Sequence, residues 1–237
     1  MVAPVVVVLL ASLTLFGGTG AAEATPLPDL GMAPIRDVRI ETLADGHKVL
    51  RFTSEVVNVG SAPFEVRGSR PNAATTTNMT GQQYLNGAPV GQPVEFVFAG
   101  DNHNHWHVKN LARYTLRSLD TTKTNRLGAK VGFCFADSAA YRPDAGPATY
   151  PLTACGTDQS LSVTMGLTAG WGDVYPSYLM YQWVDVTGLK RGNYRLEALA
   201  DAGHLFVESS TANNSTWINV KIGRGTKVTV TATGPGA

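Results

Sequence analysis

The sequence has little charge of either sign, and the two signs nearly cancel. Its 237 residues include 19 Lys or Arg and 18 Asp or Glu, so charged residues make up 16% of the chain. Proteins that bind nucleic acid usually carry a basic excess, and disordered chains are commonly polar with a high net charge. We therefore expect no nucleic-acid partner and no wholesale disorder. With 43% hydrophobic residues, the chain is expected to form one large globular domain or a smaller domain with appendages.

Long hydrophobic runs are missing after residue 16. The single run, Val2 to Phe16, holds about 15 residues, fewer than the ~20 that cross a bilayer as a helix. Ala22 and Ala24 follow it in the small-x-small pattern of a signal-peptidase site. Residues 1–24 are therefore predicted to be a signal peptide of a secreted protein that is not an integral membrane protein. Because no Lys or Arg precedes the run, an uncleaved anchor is the alternative.

Cysteine is scarce, with two residues in the whole chain, Cys134 and Cys155. In an oxidising compartment one disulfide between them is the simplest expectation. The competing interpretation makes Cys134 a copper thiolate of an electron-transfer site, which needs a histidine soon after the cysteine. The next histidine is His204, so the spacing favours the disulfide.

No segment shows a sustained helical period, whereas short runs of β-branched and aromatic residues recur between Gly, Pro, Asn and Asp clusters. This pattern predicts an all-β fold, an antiparallel β-sandwich-like domain with long loops and little helix. The predicted strands are 49–59, 94–99, 114–119, 131–136, 178–186, 194–201 and 216–222.

Three of the five histidines occupy alternate positions, His103, His105 and His107. Alternate side chains of an extended strand face the same way, so three imidazoles are expected on one side. At ~3.4 Å per residue, the outer two Cα atoms of a flat strand lie about 13 Å apart, so the backbone must bend if all three bind one ion. The alternative is a polar strand face with solvated histidines.

A site with three histidine ligands leaves coordination positions open, which favours catalysis over a closed structural site. Imidazole nitrogen suits Cu(II), Zn(II), Ni(II) or Fe(II). Zinc predicts water activation and hydrolysis, and copper predicts oxygen chemistry. The spacing alone leaves both open.

Several strings in the sequence, taken together and in order, resemble the lysyl oxidase family over about residues 28 to 222. The His-x-His-aromatic-His run is the most specific of them. The others are Val57-Asn58-Val59-Gly60-Ser61, Ser69-Arg70-Pro71, Tyr114-x-Leu116, Lys130-x-x-Phe133-Cys134, Gln182-Trp183-Val184-Asp185, Gly192-Asn193-Tyr194 and Glu208-Ser209 through Asn213-Asn214. The resemblance implies a lysyl oxidase-like catalytic domain over 37–222. From composition and pattern, residues 25–36 are predicted to be a leader or linker and residues 223–237 a β-like segment with a flexible tail.

By this resemblance, His103, His105 and His107 are implied to bind Cu(II). Lys130 and Tyr175 match the lysine and tyrosine that the family cross-links into lysine tyrosylquinone. The implied reaction is oxidative deamination of a primary amine, such as protein-bound lysine, by O₂, with an aldehyde, ammonia and hydrogen peroxide as products.

A base must take the α-proton of the substrate, and Asp173, two residues before Tyr175, matches an acidic position of the family. A turn-forming Asp after Gly172 is the alternative. Arg113 stands where animal members have a histidine, which leaves the base open. Two other functions fit the same triad: copper storage or delivery without the quinone, and a zinc hydrolase.

Overall fold

The computed structural model describes residues 25–74, 77–99, 103–122, 125–130 and 132–237. The predicted signal peptide, residues 1–24, lies outside this part of the chain. Within the described ranges there is no α-helix, and the single helical element is a 3-10 turn, Leu152–Cys155. The described residues also contain no helix that is both long and apolar enough to cross a membrane.

The described residues form seventeen strands in three antiparallel sheets, and the strands are numbered here in chain order. The first sheet contains β1 (Leu30–Met32), β2 (Arg36–Thr42), β3 (Lys48–Asn58), β11 (Ala139–Ala140), β13 (Trp171–Tyr175) and β14 (Trp183–Asp185). The second contains β4 (Phe64–Ser69), β5 (Asn78–Leu85), β6 (Ala88–Ala99), β7 (His105–Lys109), β10 (Gly132–Phe133) and β12 (Ser162–Leu167). The third contains β8 (Ala112–Ser118), β9 (Asn125–Leu127), β15 (Gly192–Ala200), β16 (Ser215–Ile222) and β17 (Val228–Thr233). The predicted all-β, antiparallel fold is confirmed.

Alternating apolar residues make the inner faces of these sheets. In β15, Tyr194, Leu196, Ala198 and Ala200 point inward and are buried, while the residues between them are more exposed. β3 is buried along almost its whole length because it pairs with strands on both edges. Burial of such side chains supplies the main drive for folding.

Three aromatic side chains, one from each sheet, meet at the centre of the molecule. The ring of Phe133 from the second sheet lies edge-on to Tyr175 of the first sheet, with ring centroids 4.9 Å apart. It also contacts Tyr114 of the third sheet at 6.1 Å. Edge-to-face pairs at such distances are favourable beyond the area they bury. The three sheets are therefore packed against one another where these rings meet, and this packing fixes the positions of the neighbouring residues.

Two predicted strands are shorter than expected. Of 178–186, only β14 pairs, because the guanidinium of Arg51 donates to the carbonyls of Ser177 and Leu179, at 3.2 and 3.0 Å, and holds that segment as a loop. Of 131–136, only β10 pairs, and Val131 lies outside the described residues.

Both ends of the described chain are tied into the fold. The segment 25–36, expected to be a linker, contributes β1, which is fully buried because it pairs with residues 56–58 of β3. The tail, expected to be loose, is also anchored: the amide of Ala237 donates to the carbonyl of Met32 at 3.0 Å. Prolines on either side of β1 made this segment look like a linker in the sequence, and no sequence pattern indicates that the tail contacts Met32.

Candidate active site

The three histidines come together because the chain turns before β7. His105 and His107 lie on the strand at alternate positions, as predicted, whereas His103 lies in the turn that precedes it. Asn104 has a φ of 50°, a left-handed conformation that Asn tolerates, and its amide donates to the carbonyl of Ala99 at 2.8 Å. This turn supplies the bend that three ligands on one ion require.

The ring nitrogens of the triad converge on one point. Nε2 of His107 lies 3.0 Å from Nε2 of His105 and 3.4 Å from Nδ1 of His103. One nitrogen from each ring lies within 4.8 Å of the other two. Burial, followed by the positive charge of Lys130, lowers the pKa of His107 to about 2. A neutral imidazole is the form that binds a metal.

This donor set fits copper. The cluster consists of three imidazole nitrogens, which suit Cu(II), and it contains no thiolate or carboxylate among the described residues. Three protein ligands leave room for exogenous ligands, as catalytic metal sites require. The residues present would therefore hold a copper ion, with His107 as the buried ligand and His103 and His105 nearer the surface.

Lys130 and Tyr175, predicted to act together, lie side by side. The Nζ atom of Lys130 is 4.9 Å from the centroid of the Tyr175 ring and 5.2 Å from that of Phe133. Both residues are buried, with 5% and 6% of their surfaces exposed. Tyr175 lines one cavity together with His103 and His105, which places this pair beside the triad.

The Tyr175 ring is fixed by its neighbours. Its hydroxyl donates a 2.6 Å hydrogen bond to the carbonyl of Cys134, and Phe133 packs against its face edge-on. Burial, reinforced by the negative charge of Asp173, raises the pKa of the Tyr175 phenol well above its usual value. The phenol thus keeps its proton and its bond to Cys134.

Asp173 is buried close to the same pair. Its Oδ2 atom accepts no hydrogen bond from the described residues, and burial raises the pKa of its carboxyl well above the usual value, against the opposing effects of Tyr175 and Lys130. A cavity of about 170 Å³ is lined by Asp173, Tyr175, His103 and His105 together. All three groups of candidate residues therefore share one site.

The predicted disulfide is confirmed. Cys134 and Cys155 are bonded, with Cα atoms 5.9 Å apart, and both are buried. Cys134 also supplies the carbonyl that accepts the hydrogen bond of the Tyr175 hydroxyl. The disulfide therefore lies next to the candidate redox residue. The thiolate alternative for Cys134 is wrong.

A buried polar cluster beside the pair was missed in the sequence. The hydroxyl of Tyr114 lies 2.6 Å from Oγ of Ser54, to which Gln182 donates at 3.0 Å. Burial raises the pKa of the Tyr114 phenol to about 12. Ser54 is the register partner of Tyr175 across β3 and β13, so the cluster lies next to the Tyr175 ring. Tyr114 and Gln182 belong to strings in the resemblance, but no spacing signals their contact.

Comparison with known proteins connects this arrangement to one family. The family model for lysyl oxidase matches residues 75–232. Lysyl oxidase homolog 3A of Danio rerio is 28% identical over 178 residues, which cover 74% of this chain and 20% of that protein. Protein-lysine 6-oxidase of Sus scrofa is 31% identical over 113 residues, covering 47% of this chain and 41% of that protein. Lysyl oxidase homolog 1 of Homo sapiens is 31% identical over 119 residues, 50% of this chain and 19% of that protein.

The matched part spans less than half the length of each of these relatives. The family match itself covers more than half of the present chain and includes the triad, Lys130, Asp173 and Tyr175. The chain therefore belongs to the lysyl oxidase family.

Proposed function

We propose that this protein is a copper-dependent amine oxidase that acts outside the cell on primary amines, peptidyl lysine among them. The observation that carries the proposal is the contact of buried Lys130 with the Tyr175 ring, at 4.9 Å, beside a convergent histidine triad. Family membership supports oxidation of amines as the type of reaction. The disulfide and the apolar N-terminal run support an extracellular location.

Copper held by the triad, together with lysine tyrosylquinone made from Lys130 and Tyr175, would supply conversion of an amine, O₂ and water to an aldehyde, ammonia and hydrogen peroxide. The residues of the chain arrange this chemistry. The Cys134 carbonyl and Phe133 hold the Tyr175 ring in one orientation, with the Lys130 amine against it. The two groups are therefore already positioned next to each other and need not meet by diffusion before they react.

We assign proton transfer to Asp173. A base that removes a proton from a carbon next to nitrogen works best when its pKa is near the working pH, and burial raises the pKa of this carboxyl in that direction. Its Oδ2 atom has no partner among the described residues that would have to be displaced.

The test is peroxide release from n-butylamine by protein expressed with copper, measured with and without O₂. The proposal predicts release that depends on O₂, disappears on treatment with a carbonyl reagent, and is lost in Tyr175→Phe. Tyr178→Phe is the matched control, because Tyr178 lies three residues further on and is 73% exposed. Copper binding with no oxidation in the wild type would instead support a storage or delivery protein and contradict the proposal.

A further inference from the structure

A second cavity reaches the Lys130–Tyr175 pair at Lys130. It measures about 350 Å³ and is lined by Asn110, Ala112, Arg113, Tyr114, Leu127, Gly128, Lys130, Ala202 and Gly203. None of these residues lines the smaller cavity that holds Asp173 and the histidines. Lys130 lines the larger cavity and Tyr175 the smaller one, so the pair borders both spaces.

The charge of the larger cavity has one sign. Arg113 and Lys130 are its two charged lining residues, and no carboxylate is among the described residues that line it. The carboxylate nearest in sequence to a lining residue is that of Asp201, which precedes Ala202. Asp201 is buried, and its two oxygens accept hydrogen bonds from the backbone N–H groups of Leu205 and Phe206, at 2.8 and 3.1 Å. Asp173 faces the smaller cavity.

Arg113 is available to a ligand. Its side chain is exposed, and it makes no ion pair and no side-chain hydrogen bond with the described part of the chain. A guanidinium presents several donors in one plane and binds a carboxylate through paired hydrogen bonds. A cavity with such a group near its exposed side and a buried lysine along its wall suits an anion-bearing ligand rather than a polycation.

We propose that this cavity is a carboxylate subsite, and that Arg113 selects primary amines that carry a carboxylate a few bonds from the reacting nitrogen. A peptidyl lysine beside a glutamate is such a substrate. The amine would pass along the cavity to the pair at Lys130 while the carboxylate stays at Arg113. This inference rests on the proposed amine oxidation for the identity of the substrate, but the anion subsite is a property of Arg113 and the cavity alone.

The kinetic test compares two acetylated, amidated peptides, Gly-Glu-Lys-Gly-Gly and Gly-Gln-Lys-Gly-Gly, which differ in charge but hardly in shape. The expected kcat/KM ratio of the Glu peptide to the Gln peptide is about fivefold in the wild type at low salt and lower at high salt. It falls to about one in Arg113→Gln and stays above one in Arg113→Lys, which keeps the positive charge. A ratio unchanged in Arg113→Gln overturns the inference.

Arg117→Gln is the matched control, because Arg117 is exposed on the same face of β8, four residues along, and lines a different cavity. It is expected to leave the ratio as in the wild type.

A binding measurement separates this inference from the proposed function. Calorimetry of the full-length protein with hexanoate and with hexanamide is expected to show tighter binding of hexanoate, and loss of that preference in Arg113→Gln. If no amine is oxidised but this preference holds, the proposed function fails and the subsite stands. Equal binding of the two probes by the wild type overturns the subsite.

Discussion

The amine of Lys130 lies 4.9 Å from the centroid of the Tyr175 ring, although the two residues come from different parts of the fold. Tyr175 ends β13 of the first sheet, and Lys130 stands just before β10 of the second sheet. Phe133 contacts both groups and so fixes the distance between them. A reaction between the two side chains therefore needs a change in rotamer and no rearrangement of the sheets.

His107 is expected to contribute most to metal binding, because it is the buried ligand and its Nε2 faces both other rings. His107→Ala should weaken copper binding by at least ~100-fold, since even loss of a group that supports a ligand costs 10- to 100-fold. Competition with a chelator measures the affinity. His47→Ala is the control, because His47 is exposed and pairs with Asp185 at 3.0 Å. Equal losses in both variants would contradict the assignment.

Gly132 leaves the space that the His107 ring occupies. A Cβ atom at Gly132 would lie 2.9 Å from Cβ and 3.2 Å from Nδ1 of His107, so the ring must move. Gly132→Ala should lower copper affinity without removing a ligand. Gly146→Ala is its control, because no atom lies within 4 Å of a Cβ built there. Unchanged copper affinity in Gly132→Ala would show that the ring position is not critical.

The disulfide should support both stability and the position of Tyr175. It joins residues 21 positions apart, and closure of a loop of this size is worth about 3 kcal/mol. The double variant Cys134→Ser, Cys155→Ser should lose about that much free energy of unfolding in a urea titration. A reductant should destabilise the wild type and have no effect on the double variant. A reductant effect of equal size on both proteins would exclude the disulfide as its cause.

Asp173 gives a pH dependence whose sign follows from its raised pKa. The folded state holds this proton at pH values where the unfolded carboxyl has lost it, so Asp173 lowers stability as pH rises above the ordinary value of 3.8. In urea unfolding of copper-free protein, the free energy of unfolding of Asp173→Asn should match that of the wild type near pH 3 and exceed it at pH 8.

Asp120 is expected to show the opposite dependence of stability on pH, because hydrogen bonds from the backbone and side chain of Asn193 lower the pKa of its carboxyl. Its contribution is present above pH 3.8 and lost as pH falls, so Asp120→Asn should lose stability relative to the wild type as pH rises. If Asp173→Asn behaved in the same way as Asp120→Asn, burial of the Asp173 carboxyl would not be the controlling cause.

Patterns within a few residues predicted part of the local structure. The alternation in β15 and the antiparallel class follow from residue types at short spacing, and the disulfide follows from the presence of only two cysteines. Strands β4, β5, β12 and β13 were not predicted. The triad was predicted as a strand face, but His103 reaches its partners through a turn at Asn104. The need for a bend was visible from the metal-to-nitrogen bond length, whereas its position was not.

Contacts across sheets could not be predicted from spacing. The approach of Lys130 to Tyr175 depends on how β10 and β13 pack around Phe133, and residue types do not encode that distance. The Tyr114–Ser54–Gln182 cluster likewise joins three distant segments, and the buried β1 follows from its pairing with β3. Tertiary packing decides these features.

The most direct test of the account is peptide mass mapping of protein expressed with copper. The account predicts a cross-linked peptide pair joining Lys130 and Tyr175, with one oxygen gained and four hydrogens lost relative to the two separate peptides, and no such pair in Lys130→Arg. Unmodified peptides containing Lys130 and Tyr175, recovered in full from copper-loaded wild type, would contradict it.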